Sequence, residues 1–116
     1  MAEEDLRYAQ AKYRELTNKI EALRSQISLL DAELRSIDEA LKKLEGMPEG
    51  SAVYERAGLI FVRRSREEVI EDLKGRREAI STILDKYRRE EQEARQELKQ
   101  LLDCLLYTSP SPRDRG

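Results

Sequence analysis

The chain has 116 residues, of which 40% are charged and only 5% are aromatic. This composition leaves too little apolar material for a thick globular core, and it favours a long helical domain that buries one narrow stripe. The net charge of -2, with acidic residues beside every arginine cluster, argues against a nucleic-acid-binding surface. No stretch approaches the ~20 apolar residues of a membrane span, and the acidic start is unlike a signal peptide. We therefore expect a cytoplasmic protein with no nucleic-acid or membrane partner.

Histidine is absent, and Cys104 is the only cysteine. A Cys–His or Ser–His catalytic pair is therefore impossible, and a metal site would have to be built from carboxylates alone. The sequence also lacks a glycine-rich phosphate-binding loop. We predict that the protein is not an enzyme and binds no cofactor and no metal.

Apolar residues recur at alternating steps of three and four through the first segment of the chain. This 3.5-residue period keeps one seam facing a partner helix in a left-handed coiled coil. It predicts a helix over residues 3–45, roughly 60 Å long at 1.5 Å per residue. The seam residues are Leu6, Ala9, Tyr13, Leu16, Ile20, Leu23, Ile27, Leu30, Leu34, Ile37, Leu41 and Leu44.

The segment after this helix predicts a β-hairpin over residues 51–64. Glycine and proline between residues 46 and 50 end the helix, because proline cannot continue its hydrogen-bond ladder. Two strand-like runs follow, at residues 52–56 and 59–63, and we place the turn near Ala57-Gly58.

A second helix is predicted over residues 66–103. Ser65 has the pattern of an N-cap, and Glu68 completes a capping box. The seam of this second helix has fewer apolar residues than that of the first. It keeps the alternating steps of three and four only if Arg77 and Glu91 occupy seam positions. Gly75 lies inside this helix and costs about 1 kcal/mol relative to alanine. Two helices of similar length joined by a hairpin predict a mainly α fold, an antiparallel two-helix coiled coil.

The last thirteen residues differ in composition from the rest of the chain. Cys104–Asp114 matches, residue for residue, a translation of the transposon-end adapter used in DNA sequencing libraries. We therefore expect one domain over residues 1–103 and a non-native tail over 104–116 that replaces the authentic C-terminus.

Four consecutive apolar residues, Leu59–Val62, make the hairpin unusual. A half-buried strand alternates apolar and polar residues, so this run requires burial on both of its faces. An isolated hairpin is also marginal in water. We therefore expect several hairpins to assemble; the alternative is that the run docks on its own helices. The nearby arginines Arg63, Arg64 and Arg66 fit either an anionic docking patch or, more typically, a salt-bridged helix start.

The order of these elements resembles the beta class of prefoldin subunits over residues 5–103. The resemblance rests on the hairpin residues Val53, Tyr54, Gly58 and Val62, and on the acidic helix start followed by Leu73. A single hairpin is typical of the beta class, since the alpha class carries two. Gly75 departs from the family pattern, in which a helix former usually stands there.

The resemblance implies a hexamer of two alpha-class and four beta-class subunits, whose hairpins form an inter-subunit β-barrel. It also implies an ATP-independent chaperone that holds unfolded client proteins at its coiled-coil tips and delivers them to a group II chaperonin. The alternative is a structural coiled-coil adaptor or tether without client binding.

Two sets of residues follow as candidate sites. We expect assembly through the apolar hairpin residues and client binding through partly covered seam residues at the open end of the coil. Tyr8 is included because it falls off the seam. The assembly set is Val53, Tyr54, Leu59, Ile60, Phe61 and Val62. The client-binding set is Leu6, Tyr8, Ala9, Tyr13, Leu16, Ala94, Leu98, Leu101 and Leu102.

Overall fold

The computed structural model describes residues 3–108, with side chains described for residues 3–106. Its elements are helix α1 (Glu3–Glu45), strand β1 (Ala52–Ala57), strand β2 (Ile60–Ser65) and helix α2 (Arg66–Thr108). The strands pair antiparallel. The prediction of a mainly α fold, with two long helices joined by a β-hairpin, is therefore confirmed.

Helix α2 extends beyond the predicted domain end at residue 103. It continues to Thr108, five residues into the segment that we assigned to the non-native tail. Residues 109–116 of that segment lie outside the described residues. The adapter origin of the tail stays a prediction.

Local signals account for the ends of the helices. Helix α1 begins with three acidic residues and ends with Lys42 and Lys43, both favourable to the helix dipole. At the start of α2, the Glu68 amide donates to Ser65 Oγ at 3.1 Å, and the Ser65 amide donates to Glu68 Oε1 at 3.4 Å. The predicted capping box is therefore present.

The chain divides into two compact units that we describe separately. The terminal unit comprises the described parts of Met1–Ile27 and Lys86–Gly116, and the hairpin unit comprises Ser28–Asp85. In the terminal unit, a buried cluster of Leu16, Ile20 and Ala94 joins α1 to α2. In the hairpin unit, the buried residues of the two helices are Ile37, Leu41, Leu44, Val69, Ile80 and Leu84.

The two polar residues of the thin α2 seam each pair with an opposite charge on α1. In the hairpin unit, Arg77 Nε donates to Asp38 Oδ1 at 2.6 Å. In the terminal unit, Glu91 is only 15% exposed and accepts from Arg24 Nε at 2.8 Å. Ion pairs between the helices thus occupy the seam positions that lack apolar residues. They favour one alignment of α1 against α2.

The Asp38–Arg77 pair predicts a pH dependence of stability. The hydrogen bond from Arg77 lowers the pKa of Asp38 below its ordinary value of 3.8. A lowered carboxyl pKa stabilises the fold above the unfolded-state pKa, and this contribution is lost as the pH falls through the folded-state value. We expect Asp38→Asn to lower the melting temperature at pH 7 and to have no effect once the pH is well below 3.8.

The measurement is thermal unfolding by circular dichroism of both proteins across the acidic range. The effect at neutral pH is small because both side chains are about half exposed. If the melting temperatures of the two proteins differ by the same amount at all pH values, the Asp38–Arg77 pair is not the cause of the pH dependence.

Gly75 is a site where stability can be gained. A Cβ added to this helical glycine meets no atom within 4 Å, and the residue has no positive φ. Gly75→Ala is therefore expected to raise the free energy of unfolding by about 1 kcal/mol. Chemical denaturation followed at 222 nm measures this difference. A loss of stability would show that α2 requires the flexibility of glycine at this point.

Candidate functional site

The hairpin is closed by a two-residue turn. The last cross-strand pair is Ala57 with Ile60, which leaves Gly58 and Leu59 as the loop. Gly58 has a φ of +65° and Leu59 has no positive φ, the combination of a type II′ turn. The predicted turn near Ala57-Gly58 was thus one residue too early, because glycine takes the first central position of this turn. Leu59 is a loop residue rather than the start of β2, and it is 98% exposed.

The strand register sorts the hairpin side chains onto two faces, because residues directly opposite each other in a sheet share a face. We name them the aliphatic face and the aromatic face. The aliphatic face carries Val53, Glu55, Ala57, Ile60, Val62 and Arg64. The aromatic face carries Ala52, Tyr54, Arg56, Phe61, Arg63 and Ser65.

The aliphatic face is held against helix α2 by Arg64. Its guanidinium donates to Glu55 Oε1 on the opposite strand at 3.1 Å and to a carboxylate oxygen of Asp72 on α2. The hydrogen bond with Asp72, followed by that with Glu55, raises the pKa of Arg64. These bonds also neutralise the only positive charge on this face. The base of the face, at Val53, borders a groove of 480 Å³ whose helical walls include Leu44, Val69 and Leu73.

The apolar hairpin residues stay largely uncovered by the chain itself. Ile60 is 62% exposed on the aliphatic face, and Phe61 is 70% exposed on the aromatic face. Tyr54, Leu59 and Val62 are also exposed, whereas Val53 is half-buried. Within the described residues, the alternative that the run docks on its own helices does not hold. The predicted assembly residues therefore leave apolar side chains exposed on both faces of the hairpin and at its turn, with Val53 the most covered of them.

The structure separates the predicted client-binding residues by accessibility. Four of them are exposed, namely Leu6, Tyr8, Tyr13 and Leu102, and two are half-buried, namely Leu98 and Leu101. Three others require correction, because a buried side chain offers no surface to a client. Ala9, Leu16 and Ala94 are at most 5% exposed, since they pack in the interface between the helices.

The terminal unit contains an apolar groove that extends this set. Its volume is 720 Å³, and its apolar lining combines Ile20 of α1 with Leu98, Leu102 and Leu106 of α2. Charged side chains border it, among them Lys99 and Asp103. From the sequence, Ile20 was assigned only to the seam, and Leu106 lies in the segment that we predict to be a non-native tail. The available signal was the spacing of four residues between Leu98, Leu102 and Leu106, which places them on the same side of a helix.

The described part of the chain also bears on the other predictions, which concern metal binding, membrane spans and the arginines near the start of α2. No group of three or more histidine, cysteine, aspartate or glutamate side chains there is arranged to hold a metal ion. Neither helix, over the residues described, is long and apolar enough to cross a membrane. Arg64 and Arg66 are ion-paired, as a salt-bridged helix start requires, but Arg63 is not part of that network.

Comparison with known proteins agrees with this geometry. Residues 8–105 match the prefoldin subunit family. The chain is 29% identical to the prefoldin subunit beta of Caldivirga maquilingensis, with 78% of this chain and 74% of the relative covered. It is 30% identical to that of Methanosarcina acetivorans, with 82% and 81% covered.

The fold has a close counterpart among solved structures. The crystal structure of the prefoldin beta subunit from Thermococcus strain KS-1 superposes with a TM-score of 0.85 at 19% identity, over 93% of this chain and 95% of that one. At this identity the likeness supports the fold, and the sequence match supports the family. The chain therefore belongs to the prefoldin family, a family of non-enzymatic chaperones, and the relatives named above are beta subunits.

Proposed function

We propose that this chain is a subunit of an ATP-independent chaperone that assembles through its hairpin and holds unfolded polypeptide on its terminal unit. The expected assembly contains two alpha-class and four beta-class prefoldin subunits, works in the cytoplasm and delivers clients to a group II chaperonin. The observation that carries the proposal is the hairpin, which exposes large apolar side chains on both faces.

Burial of the hairpin surface provides the driving force for assembly. Fully burying a large apolar side chain is worth about 1.5–3 kcal/mol. Ile60, Phe61 and Leu59 are each more than 60% exposed, so most of this gain is not realised within one chain. Both edges of a two-stranded sheet also offer unpaired backbone groups to a neighbouring strand. An inter-subunit β-barrel satisfies both requirements.

Client binding is assigned to the exposed apolar residues of the terminal unit. Unfolded chains present apolar side chains, and the groove beside Leu98 and Leu102 offers a complementary surface bordered by charges. The off-seam Tyr8 is 68% exposed and adds an aromatic contact. Each contact is weak, but several subunits in one assembly increase the effective concentration of binding sites.

A structural coiled-coil adaptor remains the competing function. An adaptor requires the apolar seam that joins the two helices, but it does not require an exposed apolar hairpin or groove. Mixing the chain with a prefoldin alpha-class subunit separates the two functions. We expect light scattering to show a complex of hexamer mass, and we expect this complex to suppress aggregation of a denatured client without ATP. An assembled complex that leaves aggregation unchanged would favour the adaptor, and absence of any complex would refute the assembly itself.

A further inference from the structure

The aromatic face of the hairpin has an unusual charge pattern. It carries two arginines, Arg56 and Arg63, and no carboxylate. The register places Tyr54 directly opposite Arg63 and Arg56 directly opposite Phe61, so that each arginine lies beside an exposed ring. Arg56 Nε donates to the carbonyl of Gly58 at 3.1 Å. Among the described residues, neither guanidinium forms an ion pair with a carboxylate.

The aliphatic face provides the contrast. Its one arginine, Arg64, is neutralised by Glu55 and Asp72. The aliphatic face therefore presents charges of both signs to a second copy of this chain, because its arginine lies in a cluster with two carboxylates. Two aromatic faces brought together would place four arginines in one interface with no carboxylate between them. Like charges facing each other in a desolvated contact are strongly unfavourable.

We infer that Arg56 and Arg63 make the aromatic face selective: it rejects the same face of a second copy and accepts a partner subunit whose contacting surface carries carboxylates beside apolar groups. Arginine binds carboxylates in bidentate geometry, and it is enriched with tyrosine and phenylalanine in interface cores. The face thus combines an attractive contact for one partner with a repulsive one for the wrong partner. This inference rests on the proposed assembly through the hairpin.

A charge-swap experiment on the full chain tests the selectivity. The double variant Arg56→Glu/Arg63→Glu supplies a matching acidic face on the same hairpin. In sedimentation velocity at low salt, an equimolar mixture of this variant and the unmodified chain is expected to associate about tenfold more tightly than either protein alone. About 1 M salt should remove the difference, because the Debye length falls to about 3 Å. Arg35→Glu/Arg89→Glu, which reverses two exposed arginines on the helices, is the control and should show no preference.

A second measurement uses the heteromeric complex. The affinity for a prefoldin alpha-class subunit is measured by titration. We expect Arg56→Glu/Arg63→Glu to lower this affinity and Arg56→Lys/Arg63→Lys to retain most of it. If charge reversal changes neither this titration nor the mixing experiment while Ile60→Lys abolishes assembly, the selectivity is refuted and the proposed assembly stands. If Ile60→Lys also assembles normally, both are refuted.

Discussion

Replacing Ile60 or Phe61 by lysine is expected to convert the assembled protein into monomers. The two side chains lie on opposite faces of the hairpin, and both are more than 60% exposed in the single chain. A lysine at either position introduces a charge where a partner subunit would bury an apolar group. The lost burial alone is at most about 1.5–3 kcal/mol per side chain, and it recurs in every copy of this chain in the complex. Light scattering of the mixture with an alpha-class subunit measures the mass of the product.

Leu29→Lys is the matched control for this experiment. Leu29 is 66% exposed, between the values for Ile60 and Phe61, but it lies on helix α1. We expect this variant to assemble normally, which separates a specific effect of the hairpin from a general effect of an added charge. The helix content of all three variants should match that of the unmodified chain, because the substituted side chains lie outside the buried core. Intact hexamers with lysine at position 60 or 61 would contradict assembly through the hairpin.

Replacing Tyr8 and Leu102 together by serine is expected to weaken the suppression of client aggregation without affecting assembly. Both side chains belong to the terminal unit and are exposed, at 68% and 39% respectively. Removing two apolar contacts in each subunit should lower client affinity by about tenfold or more, since each tenfold corresponds to about 1.4 kcal/mol. The measurement is light scattering from a denatured client protein diluted into the assembled complex, as a function of chaperone concentration.

The double variant Leu29→Ser/Ile83→Ser provides the control. Leu29 and Ile83 have nearly the same exposures, 66% and 41%, but belong to the hairpin unit. We expect their replacement to leave suppression unchanged. Equal loss of suppression in the two double variants would mean that clients bind apolar surface anywhere on the helices, and the terminal unit would then have no special role.

The distinction between exposed and buried residues matters for any wider mutagenesis of this region. Leu16 is 2% exposed and packs with Ile20 and Ala94 in the core of the terminal unit. Truncating it to alanine is expected to cost about 2–5 kcal/mol of stability. A loss of client binding in such a variant would therefore report loss of the helix pair rather than loss of a contact with the client.

The sequence by itself determined the elements and their order. The three–four spacing of apolar residues is a property of neighbouring turns of one helix, so α1 could be predicted over its full length of residues 3–45. The capping box at Ser65 is equally local, as its two partners are three residues apart. The run Leu59–Val62 indicated assembly because consecutive apolar residues in a strand point to both of its faces. Leu59 lies in the turn, but Ile60 and Phe61 of β2 still expose apolar side chains on opposite faces.

Accessibility was decided only by the tertiary structure. Ala9 and Tyr13 occupy the same predicted seam, yet one is 5% exposed and the other 45%. Periodicity identifies the face that a residue shares, whereas its burial depends on which side chain of the opposite helix lies across from it. The sequence likewise left open whether Arg77 and Glu91 occupy seam positions. In the structure each forms an ion pair with a residue of α1.

The register of the hairpin strands could not be predicted from the sequence pattern either. A turn one residue earlier would have placed Tyr54 directly opposite Phe61, whereas the type II′ turn at Gly58 places each aromatic ring opposite an arginine. Ala-Gly is a weak turn signal, so the closing position was settled by the backbone conformation of Gly58 and the full ladder of six pairs. The elements and the exposed apolar run thus follow from local residue patterns, while the surface that we propose for assembly depends on how the strands align.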